Sequence, residues 1–96
     1  MNPVRPARTL NYIPQNDPFR NTVKHLIRNR EGYMSEFKQF GQDHYDRIRE
    51  VGFVELGSVK NTETYKATKF ADDYYATLYG YADWIYQRIR GFIAHI

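Results

Sequence analysis

Residues 41–54 of the 96-residue chain read GQDHYDRIREVGFV, and they carry the clearest indication of its architecture. Gly41 permits a sharp turn, and the apolar residues that follow it recur at the spacing of one helix face. Gly52 then stops the helix, and the apolar residues beyond it no longer follow a helical period. The stretch therefore predicts a helix from about Gln42 to Val51, between a glycine turn and the start of a β-hairpin.

The residues after Gly52 predict that hairpin in more detail. Valine and leucine lie among small or charged residues as far as Val59, and the segment Tyr65–Thr68 is rich in strand formers. The polar residues between these two segments place the tip of the hairpin near residues 61–63. A short strand near Tyr33–Met34 would extend the hairpin to a three-stranded sheet.

Two more helices are predicted before residue 41. Asp17 is placed to cap the first helix and Pro18 to occupy its first turn, and Gly32 ends it. A second, short helix covers Met34–Phe40. The first helix has one apolar face, formed by Phe19, Val23, Leu26 and Ile27.

Residues 1–16 are interpreted as a flexible N-terminal arm. Three prolines block a helix, and the polar residues between them have no periodicity. The arm carries Arg5 and Arg8 but no apolar run of the kind found in a secretory signal. We expect the arm to be mobile in the free protein and to follow a DNA groove in a complex, with an inert tail as the alternative.

The C-terminal segment predicts a helix from about Phe70 to Ile96, with Thr68 as its N-cap. Its apolar residues follow alternating steps of four and three, which is a heptad seam. A straight helix of this length extends past a core built from residues 17–70. We therefore expect residues 71–96 to complete the core and then to join two copies in a homodimer. The alternative is a helix that bends near Gly80 and folds back over its own chain. The seam consists of Ala71, Tyr75, Leu78, Ala82, Ile85, Ile89, Phe92 and Ile96, with Leu78, Ala82, Ile85, Ile89 and Phe92 at the dimer interface.

The order of the predicted elements is helix, helix, glycine turn, helix, hairpin, helix. Together with residues 41–54 and the segment YKATKFA at residues 65–71, this order resembles the winged helix–turn–helix superfamily over roughly residues 17–80. The resemblance implies a mainly α fold with a small β-hairpin and an extended C-terminal helix. It also implies that the third helix enters the major groove of DNA and that the hairpin, the wing, lies along the backbone or the minor groove.

Carried over to this sequence, the resemblance places five residues on the outward side of the third helix: Gln42, Asp43, Asp46, Arg47 and Glu50. Three of the five are acidic and would face phosphates, which favours the alternative of a module that binds a protein and no DNA. Basic residues on other elements offer phosphate contacts, or else form a solvated helix face. These residues are Lys60 and Lys66 on the hairpin, and Arg20, Lys24 and Arg28 in one stripe on the first helix.

The composition narrows the function classes. The chain has a net charge of +3, a pI near 9.2 and no cysteine, which excludes disulfides and thiolate metal sites and favours a reducing, cytoplasmic compartment. No apolar stretch is long enough to span a membrane. His25, His44 and His95 have no metal-ligand spacing, and the chain has neither a glycine-rich phosphate loop nor a nucleophile–base pattern. The sequence therefore predicts a dimeric winged-helix protein that binds double-stranded DNA in transcription control, with no cofactor and no enzymatic activity.

Overall fold

A computed structural model describes residues 17–94, so the predicted arm with its two arginines, like His95 and Ile96, lies outside the described residues. The described chain is mainly helical with a small three-stranded antiparallel sheet. A 3₁₀ helix stands in place of the predicted second α-helix and has the predicted bounds. In chain order the elements are α1 (Phe19–Asn29), β1 (Glu31–Tyr33), the 3₁₀ helix (Met34–Phe40), α2 (Gln42–Glu50), β2 (Val54–Val59), β3 (Thr62–Ala67), α3 (Lys69–Tyr79) and α4 (Tyr81–Ala94).

Helix α1 provides the centre of the core. The Asp17 carboxylate accepts a hydrogen bond from the Phe19 backbone N–H at 3.0 Å, but Pro18 and not Asp17 occupies the N-cap position of the helix. All four residues of the predicted apolar face are buried, and each buried side chain of this kind contributes about 1.5–3 kcal/mol. The core is completed by Met34, Phe37, Ile48, Phe53, Val54, Tyr65, Ala71 and Tyr75.

The first helix ends earlier than the sequence predicts. Asn29 is its last residue, and Arg30 adopts a left-handed conformation with φ of 68°. The Arg30 carbonyl accepts a hydrogen bond from the Ala67 N–H at 2.6 Å, next to the pairing of β1 with β3. Gly32, predicted to end the helix, lies instead within β1 opposite Tyr65. The reversal of the chain is therefore made by Arg30 and not by the glycine.

The sheet has the strand order β1–β3–β2, and both pairings are antiparallel. Val59 pairs with Thr62, so Lys60 and Asn61 alone form the loop of the β2–β3 hairpin. Both loop residues have positive φ, 52° and 67°, as a two-residue type I′ turn requires. The tip of the hairpin therefore begins one residue before the predicted residues 61–63, and β1 is a short third strand that ends at Tyr33, where the sequence allows one.

Glu36 organises the entry into the 3₁₀ helix. Its carboxylate accepts hydrogen bonds from the Tyr33 backbone N–H at 3.0 Å and from the Tyr65 hydroxyl at 2.9 Å, and its Oε1 lies 2.9 Å from His25 Nε2. Burial by itself raises the pKa of Glu36, but the hydrogen bonds with His25, Tyr33 and Tyr65 outweigh burial and hold this pKa below its ordinary value. The charged carboxylate therefore joins α1, the 3₁₀ helix and β3.

The prediction of one long C-terminal helix is wrong, because two helices, α3 and α4, meet at Gly80. Thr68 caps α3 as predicted, and its hydroxyl oxygen accepts a hydrogen bond from the Ala71 N–H at 3.3 Å. Gly80 has φ of 102°, a conformation that glycine adopts readily and that no helix contains, so the heptad seam ends there. The alternative for this segment, a bend near Gly80 with the distal part folded back, is the arrangement observed.

Helix α4 packs on α1 through its polar side. Arg20 Nη2 donates a hydrogen bond to Asp83 Oδ2 at 2.5 Å, and Arg28 Nε donates one to Gln87 Oε1 at 2.6 Å. One turn further along α4, a Cβ atom at Gly91 would overlap the backbone carbonyl of Arg28. Helix α4 is therefore held on α1 by hydrogen bonds and a close approach of backbones, and not by its isoleucines.

Asp72 joins α3 to two other parts of the fold. It accepts hydrogen bonds from Arg30 Nη1 and Nη2 at 2.6 and 2.9 Å and from Trp84 Nε1 at 3.0 Å. Burial raises the pKa of Asp72, but the bonds from Arg30 and Trp84 outweigh it and lower this pKa below its ordinary value of 3.8. Burial is likewise outweighed at Asp83, whose pKa is lowered by hydrogen bonds from Gln87 and two further side chains. Both charged carboxylates therefore stabilise the packing of α4.

We expect the protein to lose stability in acid because of Glu36, Asp72 and Asp83, the three carboxyl groups of residues 17–94 whose pKa is lowered by their partners. A carboxyl whose pKa is lowered by folding stabilises the fold above its unfolded pKa, and this contribution is lost as the pH falls through the folded-state pKa. The melting temperature should therefore fall steeply below about pH 4. Asp72→Asn should lose about 2 kcal/mol of stability at neutral pH and decline less in acid. Thermal unfolding followed by circular dichroism between neutral pH and pH 2 measures both effects.

The matched control for this prediction is Asp43→Asn, on the exposed side of α2. It should cost no more than the roughly 0.3–1 kcal/mol of a carboxylate in the first turn of a helix, because Asp43 makes no hydrogen bond or ion pair within residues 17–94. An acid decline of the same depth in Asp72→Asn and in the parent chain would contradict the role given to Asp72.

Candidate nucleic-acid interface

Helix α2 and the β2–β3 hairpin, together called here the helix–wing surface, are joined by an ion pair. Arg49 Nε and Nη2 donate hydrogen bonds to the two carboxylate oxygens of Glu63 at 3.2 and 2.6 Å. A two-point contact between a guanidinium and a carboxylate fixes orientation as well as distance. Because Glu63 lies three residues from Lys60 at the hairpin tip, the pair holds the tip in a defined position relative to α2.

The outward side of α2 is exposed and mainly acidic. Gln42 Nε2 donates a hydrogen bond to Asp46 Oδ1 at 2.8 Å, so two of the side chains predicted to bind DNA bind each other. The guanidinium carbon of Arg47 lies 4.1 Å from the centre of the Phe19 ring. Stacking on a ring leaves the in-plane N–H donors of an arginine available for other partners. The exposed residues of this side are Gln42, Asp43, Arg47 and Glu50, and Asp46 is half-buried.

The two lysines of the hairpin have different electrostatic surroundings. Lys60 is exposed at the tip, and no described residue makes a hydrogen bond or ion pair with it. Lys66 lies directly opposite Glu31 of β1 and Glu55 of β2. Residues directly opposite in an antiparallel pair carry their side chains on the same face, about 5 Å apart. Two carboxylates therefore flank Lys66, and Lys60 has the less compensated charge.

The predicted basic stripe of α1 is not part of the helix–wing surface. Arg20 is bound to Asp83 and Arg28 to Gln87, both on α4. Lys24, between the two arginines, is half-buried. The stripe is therefore in contact with α4 and is not the solvated helix face that was the alternative to phosphate contact.

The charge of the described domain is close to balanced. All eleven acidic residues of the chain lie within residues 17–94, whereas two of its fourteen basic residues, Arg5 and Arg8, precede them. Two of the three net positive charges therefore belong to residues 1–16. Any contact of the helix–wing surface with a polyanion then depends on individual cations, because the domain has little overall positive field.

Four of the five residues predicted at a dimer interface lie on one exposed side of α4. Leu78 is separated from them, because it lies on α3 before the bend and is half-buried. Ile89 is 51% exposed and Phe92 is 69% exposed, although both are large and apolar. We name this side the α4 apolar face; it comprises Ala82 with Tyr81, Ile85, Tyr86, Ile89, Phe92 and Ile93.

Two of the contacts that shape these surfaces have no signal in the sequence. Arg49 and Glu63 are 14 residues apart, and Arg20 and Asp83 are 63 apart. Spacing rules for charge pairs reach only three or four residues along a helix. The first pair could be found only by aligning α2 with the hairpin, and the second only by knowing that the chain reverses at Gly80.

Comparison with known proteins gives no match to a family model, a curated protein or a solved structure. Among residues 17–94, no helix combines the length and the apolar character that crossing a bilayer requires. The same part of the chain contains no group of three or more histidine and acidic side chains placed to bind a metal ion.

Proposed function

We propose that the chain is a transcription regulator that binds double-stranded DNA as a winged-helix homodimer. The observation that carries the proposal is the topology: a helix, a strand, two helices and a hairpin, with the first strand added to the hairpin in the order β1–β3–β2. This order resembles that of winged helix–turn–helix domains. The two-point contact between Arg49 and Glu63 supports the proposal further, because it holds the wing against α2.

In this proposal, α2 enters the major groove and the hairpin follows the DNA backbone. Arg47 reads a base edge, since an arginine with free in-plane donors can make two hydrogen bonds to guanine. Lys60 contacts a phosphate from the wing tip. Asp43 accepts a hydrogen bond from a cytosine amino group, and Gln42 exchanges its bond with Asp46 for one to adenine.

Two copies associate through the α4 apolar face. Its six large side chains are between 37% and 69% exposed. An aromatic side chain offers about 200 Å², so these side chains present on the order of 600 Å² per copy. That area approaches the roughly 800 Å² that each partner buries in a stable complex. A second copy is the expected occupant because the apolar residues repeat along one helix, and a twofold-related α4 presents the same repeat.

A module that binds a protein and no DNA is the second candidate. It is favoured by the acidic side chains of Asp43, Asp46 and Glu50, which lie on the side of α2 that would face phosphates. In this case the outward side of α2 would pair with a basic segment of a partner protein. The two candidates differ in their dependence on salt, because only DNA binding releases many condensed counterions.

Binding to random-sequence duplex DNA at two salt concentrations tests the proposed function. We expect measurable affinity at low salt and a steep decrease as the salt concentration rises. Absence of binding at low salt, with a chain that is folded by circular dichroism, would overturn the proposal in favour of the protein-binding module.

Lys60→Ala is expected to weaken binding to every DNA sequence and to reduce the salt slope by about one unit. Lys66→Ala, on the same hairpin, is the matched control and should have a smaller effect because Glu31 and Glu55 flank this lysine. Arg47→Ala should instead relax the preference at one base pair by about 1–3 kcal/mol. Fluorescence anisotropy on a series of duplexes measures all three, and equal effects of the two lysine variants would contradict the difference in their surroundings.

A further inference from the structure

A second site lies away from the helix–wing surface, in a cleft between α1, the 3₁₀ helix and α4. The cleft has a volume of about 650 Å³, within the range of roughly 300–1,000 Å³ that small-molecule sites occupy. Three cations line it: Lys24 and Arg28 of α1 and Arg90 of α4. Among the described residues that line it, none is acidic. The cleft therefore gathers three positive charges without a carboxylate on its walls.

The three cations keep hydrogen-bond donors that no described residue uses. The Lys24 ammonium makes no hydrogen bond or ion pair within residues 17–94. Arg28 uses Nε for Gln87, and Arg90 uses Nη1 for the Tyr86 hydroxyl at 2.8 Å, so each guanidinium retains further N–H groups. The two guanidiniums are therefore already oriented by their neighbours, and all three cations keep donors that can bind an anion.

Lys24 is also repelled by the positive charges of neighbouring arginines. Burial has the largest effect on the pKa of Lys24 and lowers it, and the positive charges of Arg20 and Arg28 lower this pKa further. Asp83 acts in the opposite direction, but its carboxylate is already bound by Arg20 and Gln87. A bound anion would remove this repulsion, so the cleft favours a negatively charged occupant.

The remaining walls suit an organic group beside the anionic one. Phe40 and Ile93 provide apolar surface, and Asn21 and Gln39 contribute side-chain amides. His25 is also on the wall, and its Nε2 lies 2.9 Å from Glu36 Oε1, but Glu36 itself is not among the described residues that line the cleft. An apolar wall with a few amides next to a cationic wall is the pattern of a site for a charged organic molecule.

We propose that this cleft binds a small phosphorylated organic molecule of about nucleotide size. Phosphate oxygens accept hydrogen bonds from Lys24, Arg28 and Arg90, and arginine pairs with phosphate at two points. The organic part lies against Phe40 and Ile93. This inference is independent of the proposed DNA contacts, since none of these residues belongs to the helix–wing surface. The cleft shares one residue, Ile93, with the α4 apolar face.

Isothermal titration calorimetry at constant ionic strength tests the proposal with pyrophosphate, the common nucleoside mono- and diphosphates, and adenosine as the uncharged comparison. We expect at least one of the phosphates to bind and to raise the melting temperature, and adenosine to do neither. Lys24→Gln and Arg90→Gln should each weaken that binding about tenfold, because each removes a charged hydrogen bond to phosphate. Lys69→Gln, which removes the same charge from the exposed start of α3, is the matched control and should leave the affinity unchanged.

The unliganded variants provide a second measurement. Since the cations repel one another, Lys24→Gln should melt at or above the temperature of the parent chain, so weaker binding would not reflect misfolding. The proposal is overturned if no phosphate on the panel binds, or if Lys69→Gln weakens binding as much as Lys24→Gln. It is also overturned if the two cleft variants weaken only duplex DNA binding, since the cations would then contact a nucleic-acid backbone.

Discussion

Gly91→Ala is expected to lower the melting temperature of the chain by about 10 °C. A methyl group at this position would overlap the carbonyl oxygen of Arg28, so α4 must move away from α1. This movement would strain the hydrogen bond between Arg28 and Gln87. Gln87 is only 3% exposed, so water cannot readily replace that bond. The sign of the effect is informative, because glycine-to-alanine changes inside helices ordinarily stabilise by about 0.5–1 kcal/mol. Thermal unfolding followed by circular dichroism measures the change.

Ala82→Gly calibrates this result. It exchanges the same two residue types in the opposite direction in the exposed first turn of the same helix, so at a concentration where the chain is monomeric it should cost no more than the difference in helix propensity, about 1 kcal/mol. If Gly91→Ala melted at or above the temperature of the parent chain, α4 would not approach α1 as closely as this structure shows.

Ile89→Asp is expected to convert a dimer of the chain into a monomer of 11.5 kDa. Ile89 lies in the middle of the α4 apolar face and is 51% exposed in a single copy. In a dimer it would be buried, and an aspartate there would place an unpaired charge in an apolar interface. Sedimentation equilibrium at micromolar concentration distinguishes the two states, and the melting temperature of the parent should rise with protein concentration.

Thr77→Asp introduces the same charge on an exposed position of α3 and should leave the dimer intact. A parent chain that sediments as a monomer across the micromolar range would refute the dimer, whatever the variants do. A dimer that survives Ile89→Asp would place the interface on a surface other than the α4 apolar face.

The local structure of this chain follows from short-range patterns that the sequence displays directly. Three predictions are confirmed: the apolar face of α1, the Thr68 cap and the bounds of the 3₁₀ helix. Each depends on residues within a few positions of one another, where backbone geometry allows few alternatives. The end of α1 escaped prediction because Arg30, a residue that rarely adopts positive φ, makes the reversal in place of Gly32.

The C-terminal segment shows where such patterns stop being sufficient. An unbroken heptad predicts a straight helix, and a glycine inside it costs only about 1 kcal/mol, which packing can offset. Whether the chain bends at Gly80 depends on the hydrogen bonds that α4 makes with α1. Asp83 and Gln87 accept these bonds from Arg20 and Arg28, which lie some sixty positions earlier in the chain. The sequence does not group Arg90 with Lys24 and Arg28 for the same reason, because only the bend brings Arg90 to the wall of the same cleft.

The two residues at the hairpin tip make the turn less stable than other residues would, but one of them provides a positive charge. Lys60 and Asn61 both occupy the left-handed region, where a residue with a side chain costs roughly 1–2 kcal/mol and glycine costs little. Asparagine is among the residues that tolerate this region, whereas lysine has no such preference. An Asn-Gly tip would therefore make the hairpin more stable and remove the one uncompensated cation at its end. The sequence keeps the less stable turn, and with it a positive charge at the most protruding point of the hairpin.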